Sequence, residues 1–172
     1  AYSAYSNFGV GTYYEGVFRV SFQSRSETVA RASSIVLEEI ERIRDRQVTE
    51  AELRTSKASF IETFTRNFSN ASSTANLFAS DEYTGRDPEY LLNYRSRISA
   101  VTGDDVVRVA RQYLKPDQIV VLITGDMATI SMPDPDNPAF SLDQLSNGPI
   151  TSLSLPDPFT MEYPTGNLPR PE

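Results

Sequence analysis

Neither histidine nor cysteine occurs among the 172 residues. Nearly every common zinc, copper or iron site uses imidazole or thiolate ligands, so such a site lacks its donors here. Serine–histidine triads, cysteine nucleophiles and histidine acid–base sites are excluded with it. A carboxylate-only magnesium or calcium site survives this filter, but no run such as DxDxDG occurs. An enzyme containing this chain would keep its chemistry elsewhere. Positive charge is also short, 16 Lys and Arg against 23 Asp and Glu, for a net charge of −7. That balance argues against a nucleic-acid phosphate partner and against an anionic membrane surface. No apolar run approaches the roughly 18 residues of a transmembrane span. Absence of cysteine suits both cytoplasm and periplasm.

What remains is core material. Hydrophobic residues make up 39% of the chain, with nine Phe and nine Tyr, enough for one domain and a tail. AYSAYSNFG has no initiator Met and no signal peptide, and reads as strand from residue 1, as though cut from something longer.

Residues 1–8 and 17–24 are the N-terminal strand candidates. In the second, Phe18, Val20 and Phe22 alternate with Arg19, Ser21 and Gln23. Gly9, Gly11 and Gly16 supply turn positions between them, which predicts an antiparallel hairpin. From Glu27 to Arg44 the period becomes helical, with Val29, Ala32, Val36, Ile40 and Ile43 on one face. Thr49 and Glu52 form a capping box and open a second helix, striped by Leu53, Phe60, Ile61, Phe64 and Phe68. The short connector predicts that these two helices pair antiparallel. Ala71, Ala75, Phe78 and Ala79 predict a closely packed third helix ending at Gly85. Asp87-Pro88 opens a fourth through Leu91 and Tyr94. Thr102 with Asp105 caps a fifth, whose Val106, Val109, Ala110 and Tyr113 share a face and which stops at Lys115-Pro116. Ile119–Ile123 (IVVLI) predicts a buried central strand. The fold class is therefore α/β in the two-layer, α+β sense: a hairpin, about five helices and a buried C-terminal strand. Three strands are thin cover for so much helix, and strands preceding residue 1 would explain it.

From Met127 onward, prolines from Pro133 to Pro171 crowd the chain, which divides it into 1–126 and a Pro/Asp-rich closing segment at 127–172. Phe140, Leu142, Leu145, Ile150, Leu153 and Leu155 are frequent enough for residues 140–155 to dock on the domain or a neighbour. The last ten residues are expected to be mobile.

The charged clusters have plain readings. Glu38, Glu39 and Glu41 fall on a solvated helix face among arginines. Asp134 and Asp136 are turn residues rather than ligands for a loose cation. Asp104-Asp105 occupies a helix first turn, where anions meet the dipole. Gly9 and Gly11 lack the lysine and the strand-to-helix context of a phosphate loop. Tyr2, Tyr5, Tyr13 and Tyr14 leave two readings open, edge packing of the hairpin or a peptide-contact surface.

Taken together, the segments resemble the non-catalytic half-repeat of the insulinase-like (M16) zinc metallopeptidases, a family that includes pitrilysin and the mitochondrial processing peptidase. Ala1-Tyr2-Ser3 looks like the AYS of that family's RExxGLAYS segment. The likeness continues through Gly16-Val17-Phe18, Arg44-Asp45, Val48-Thr49-Glu50-Ala51-Glu52-Leu53 with Lys57, and Asp87-Pro88 to Tyr94. Val101-Thr102, Asp105-Val106, Val109-Ala110, Tyr113-Leu114 and Pro116 match its VTxxDVxxvAxxYLxP signature, followed by IVVLITGD. The resemblance covers about residues 1–126.

It implies the M16 (LuxS/MPP-like) metallohydrolase fold, truncated at its N-terminus, and a bacterial peptidase built from paired repeats closing around a peptide. Zinc and the general base belong to an HxxEH repeat, upstream in the same polypeptide or on a partner subunit; nothing in this chain can hold them. The companion repeat supplies an Arg and a Tyr that bind substrate. The tyrosine falls on Tyr2, with Tyr5 as a second contact, while the arginine would lie before Ala1. The implied partners are the catalytic repeat, a peptide substrate and, in a paired assembly, a second copy as a dimer. A periplasmic or secreted location is favoured over a cytoplasmic one. The alternative is an inactive structural or assembly subunit of the same descent.

Overall fold

Alternation places the first two strands where expected. A computed structural model of the chain describes residues 2–9, 11, 14–145 and 150–163. Ala1, Tyr13 and most of the last ten residues, on which some expectations fell, lie outside the described residues. Strand β1 (Ser3–Phe8) pairs antiparallel with β2 (Phe18–Gln23), in register from Ser3 opposite Gln23 to Phe8 opposite Phe18. The ladder runs on at one end, where Gly9 N–H donates to Val17 O at 2.9 Å; at the other the register slips by one, and Tyr2 N–H donates to Gln23 O at 2.7 Å. A Cβ on Gly16 would stand 1.7 Å from Gly9 O, so the chain closes the loop only because that position carries no side chain.

The helices follow their caps. After a 3-10 turn at Ser26–Thr28 come α1 (Val29–Asp45), α2 (Glu50–Phe64), α3 (Ala71–Thr84), α4 (Glu89–Ala100), α5 (Gly103–Tyr113) and a single turn, α6 (Met127–Ile130). Both capping boxes form. Glu52 N–H donates to Thr49 Oγ1 while Glu52 Oε2 accepts from Thr49 N–H at 2.8 Å, and Thr102 and Asp105 repeat the exchange. Gly85 ends α3 at φ 63°, where Gly85 N–H donates to Glu82 O and Arg86 N–H to Asp81 O.

Packing differs from the expected helix pair. α1 lies on α5, and α2 lies on α4. One apolar cluster joins Ile40, Ala110 and Leu114, with Phe18, Val36, Ile43 and Ile119 around them. A second joins Ala30, Ile130 and Leu142, flanked by Val29, Ile123, Phe140 and Leu145. Between α2 and α4, the rings of Phe64 and Tyr94 stack at 4.4 Å, and Lys57 Nζ donates to Ser99 O at 2.8 Å. The α1 stripe faces inward as its period requires. α2 and α5 turn in slightly different faces from those expected: Phe60, Val109 and Tyr113 are exposed, while Lys57 is half-buried and Leu114 buried. α3 is not closely packed on its alanines. Ala71, Ala75, Phe78 and Ala79 face out, and Ser73, Thr74, Leu77, Asp81 and Thr84 are the half-covered positions.

The buried central strand at Ile119–Ile123 is overturned. These residues form no strand; Val120 is 89% and Leu122 79% exposed. A strand needs a neighbour for its amides and carbonyls, and among the described residues the sheet contains only β1 and β2. The run instead bridges the two clusters, Ile119 ending in one and Ile123 in the other. The closing segment docks in part. Phe140, Leu142 and Leu145 join the core, whereas Ile150, Leu153 and Leu155 are exposed. The architecture is thus mixed α+β, mainly helical with one small antiparallel sheet. No helix among the described residues is long and apolar enough to cross a membrane.

Candidate functional site

Strand geometry decides what the hairpin tyrosines can do. Phe8 pairs with Phe18, their ring centroids 4.6 Å apart, and Phe18 points into the helical cluster. Side chains alternate along a strand, so Ala4, Ser6 and Phe8 share the helix-side face while Tyr5 projects from the other; Tyr2, one residue before β1, lines a groove with the start of α1. The structure therefore separates Tyr2 from Tyr5. Both are exposed, and Tyr14 stands out from the loop at 88% exposure.

Tyr2 borders a concave surface. Where β2 ends and α1 begins, Tyr2, Arg25, Thr28, Arg31 and Ile35 are among the residues lining an open groove of about 350 Å³. The junction is held locally, with Ser24 Oγ and Thr28 Oγ1 each donating to Arg25 O at 3.1 and 3.2 Å. No side chain caps the 3-10 turn or α1 behind it. The Arg31 guanidinium carbon lies 5.9 Å from the centre of the Phe140 ring, tying the groove wall to the closing segment. Among the described residues, ion pairs occupy Arg42, Arg44, Arg86 and Arg108, and neither Arg25 nor Arg31 belongs to one. Sequence reasoning missed these two arginines. Arg25 sits at a junction between two periodicities, and Arg31 occurs on what reads as an ordinary polar helix face.

The acidic clusters fall where their plain readings put them. Glu39 pairs with Arg42, and Glu41 Oε2 accepts from Arg44 Nη1 at 2.8 Å. Glu38 and Glu41 also border a second hollow of about 590 Å³, but Arg42 and Arg46 stand beside them. Asp104 Oδ1 accepts from Gln47 Nε2 at 2.5 Å. Its neighbour Asp105 is held down to about 2 by the Thr102 hydroxyl, then the Thr102 amide, then Arg108. Asp134 Oδ1 accepts from the amides of Asp136 and Asn137, which makes it the turn residue its sequence suggests, although it is almost fully buried.

Among the described residues, no three His, Cys, Asp or Glu side chains come together as a metal site. The zinc implied by the resemblance does not fit these residues, because a chain without histidine cannot supply its ligand set. What the arrangement can do is bind: one phenol, two arginines outside any ion pair among the described residues, and an apolar wall at a single groove. No family model, curated protein or solved structure matches the chain.

Proposed function

We propose that this chain is the peptide-substrate-binding, non-catalytic repeat of an M16-like zinc metalloendopeptidase, in the M16 fold that its segments resemble. The observation that carries the reading is the position of Tyr2, just before β1 and among the residues that line the groove. There its hydroxyl is free to donate to a substrate carbonyl. Water activated on zinc in the companion HxxEH repeat supplies the hydrolysis chemistry. This chain's share is to hold the peptide in register, so that the scissile bond meets that centre in a fixed orientation.

The test is cleavage of a quenched peptide by the assembly containing both repeats. A lost hydroxyl donor in the transition state lowers kcat/KM by roughly tenfold, and Tyr2→Phe is expected to do so with the fold unchanged. Unaltered kcat/KM would remove Tyr2 from the substrate wall.

A second reading is an inactive structural or assembly subunit of the same descent. Exposed apolar Val120 and Leu122 suit a docking surface, which both readings require. In this reading the docking remains and the role of Tyr2 is lost.

A further inference from the structure

We infer that the groove beside Tyr2 recognises a carboxylate on the bound peptide, through the guanidiniums of Arg25 and Arg31; the inference rests on the peptide-binding reading above. Acidic side chains outnumber basic ones in this chain, so partners for arginine are plentiful. Four other arginines use them. Arg25, from the strand-to-helix junction, and Arg31, from the first turn of α1, both line one groove, which no described Asp or Glu lines. The nearest acid in sequence, Glu27, is exposed on the 3-10 turn and does not border the groove.

Both arginines line the groove and neither belongs to an ion pair among the described residues, so an incoming anion meets two positive charges in place of a partner already engaged. Guanidinium presents a planar fork that matches carboxylate geometry, which favours this anion over a neutral group. Ile35 and Ala32 give the groove an apolar floor, suited to the methylenes of an acidic side chain or of a C-terminal residue. Tyr2 stands at the rim, where its hydroxyl reaches the same peptide. The volume of about 350 Å³ accommodates one terminal or side-chain group rather than a folded partner.

Binding of short peptides to the 172-residue chain, followed by calorimetry, separates the cases. The set comprises an internal glutamate peptide with amidated ends, a neutral peptide with a free C-terminus, a fully neutral peptide and inorganic phosphate. A single charge-assisted fork supports a preference of roughly tenfold, so at least one carboxylate peptide is expected to bind that much tighter than the neutral one. Arg25→Gln and Arg31→Gln are expected to erase the preference without changing the helical circular dichroism. Whichever carboxylate peptide binds tighter identifies the source of the anion. Equal binding of carboxylate and neutral peptides overturns the carboxylate reading but leaves peptide binding standing. Phosphate competing as well as the best peptide overturns it in favour of a general anion site. No binding by any peptide overturns both this inference and the reading beneath it.

Discussion

Arg111 Nε donates to the main-chain carbonyl of Arg44 across 2.8 Å, tying the last turn of α1 to α5. The carbonyls at a helix C-terminus have no partner within the helix, and a cation there also meets the negative end of the dipole. Gln47 and Asp104 add a second tie close by. Arg111→Ala is expected to lower stability by about 1 kcal/mol, with Arg111→Lys intermediate. Urea unfolding, monitored by circular dichroism at unchanged m-value, checks it. An alanine variant as stable as the parent would make the contact incidental.

Ile40 sits at the centre of the same interface, buried with Ala110 and Leu114. Ile40→Ala is expected to cost about 2–5 kcal/mol, while exposed Val109→Ala stays within about 0.5 kcal/mol. Comparable losses at both positions would mean that α5 is turned on its axis relative to this structure.

Those two residues also show what could be read beforehand. Local signals were legible: alternation gave the hairpin, and Thr49–Glu52 and Thr102–Asp105 marked helix starts to the residue. Gly85 ended α3 as expected because only a left-handed cap fits there. Partner choice was not legible. A stripe on α1 says that a face is buried but not that α5, rather than its neighbour in sequence, covers it. Ile119–Ile123 failed for a related reason, since β-branched composition shows what a strand would accept but not whether a neighbouring strand exists. Within the groove, Tyr2 was legible as one of four hairpin tyrosines and was singled out among them through the resemblance, and Arg25 and Arg31 were legible only through the fold.

Asp105 carries a pH signature. Bonds from the Thr102 hydroxyl and amide and from Arg108 favour its ionised form and bring it from 3.8 to about 2. A carboxylate lowered in the folded state contributes stability that is complete above its unfolded value and disappears as pH falls through the folded one. The contribution is therefore present above about pH 4 and fades toward pH 2. NMR titration should find Asp105 well below an ordinary aspartate, and Thr102→Ala should move it upward. An Asp105 titrating at its ordinary value would show that the capping box is open in solution.

Val120 and Leu122 separate folding from assembly. They project from a segment with no strand partner among the described residues. Val120→Asp combined with Leu122→Asp is expected to leave the chain folded, each change costing no more than about 0.5 kcal/mol as surface substitutions do. The pair should nevertheless abolish association with the companion repeat in analytical ultracentrifugation. Retained association would place the docking surface elsewhere on the chain.

The most direct measurement is the zinc content of the assembly that carries this chain with its companion repeat, read together with chelator-sensitive cleavage of a quenched peptide. One zinc per assembly, with cleavage abolished by chelator and weakened by Tyr2→Phe, is the expected result. A well-folded assembly with neither zinc nor cleavage would contradict the peptidase reading and leave a structural subunit.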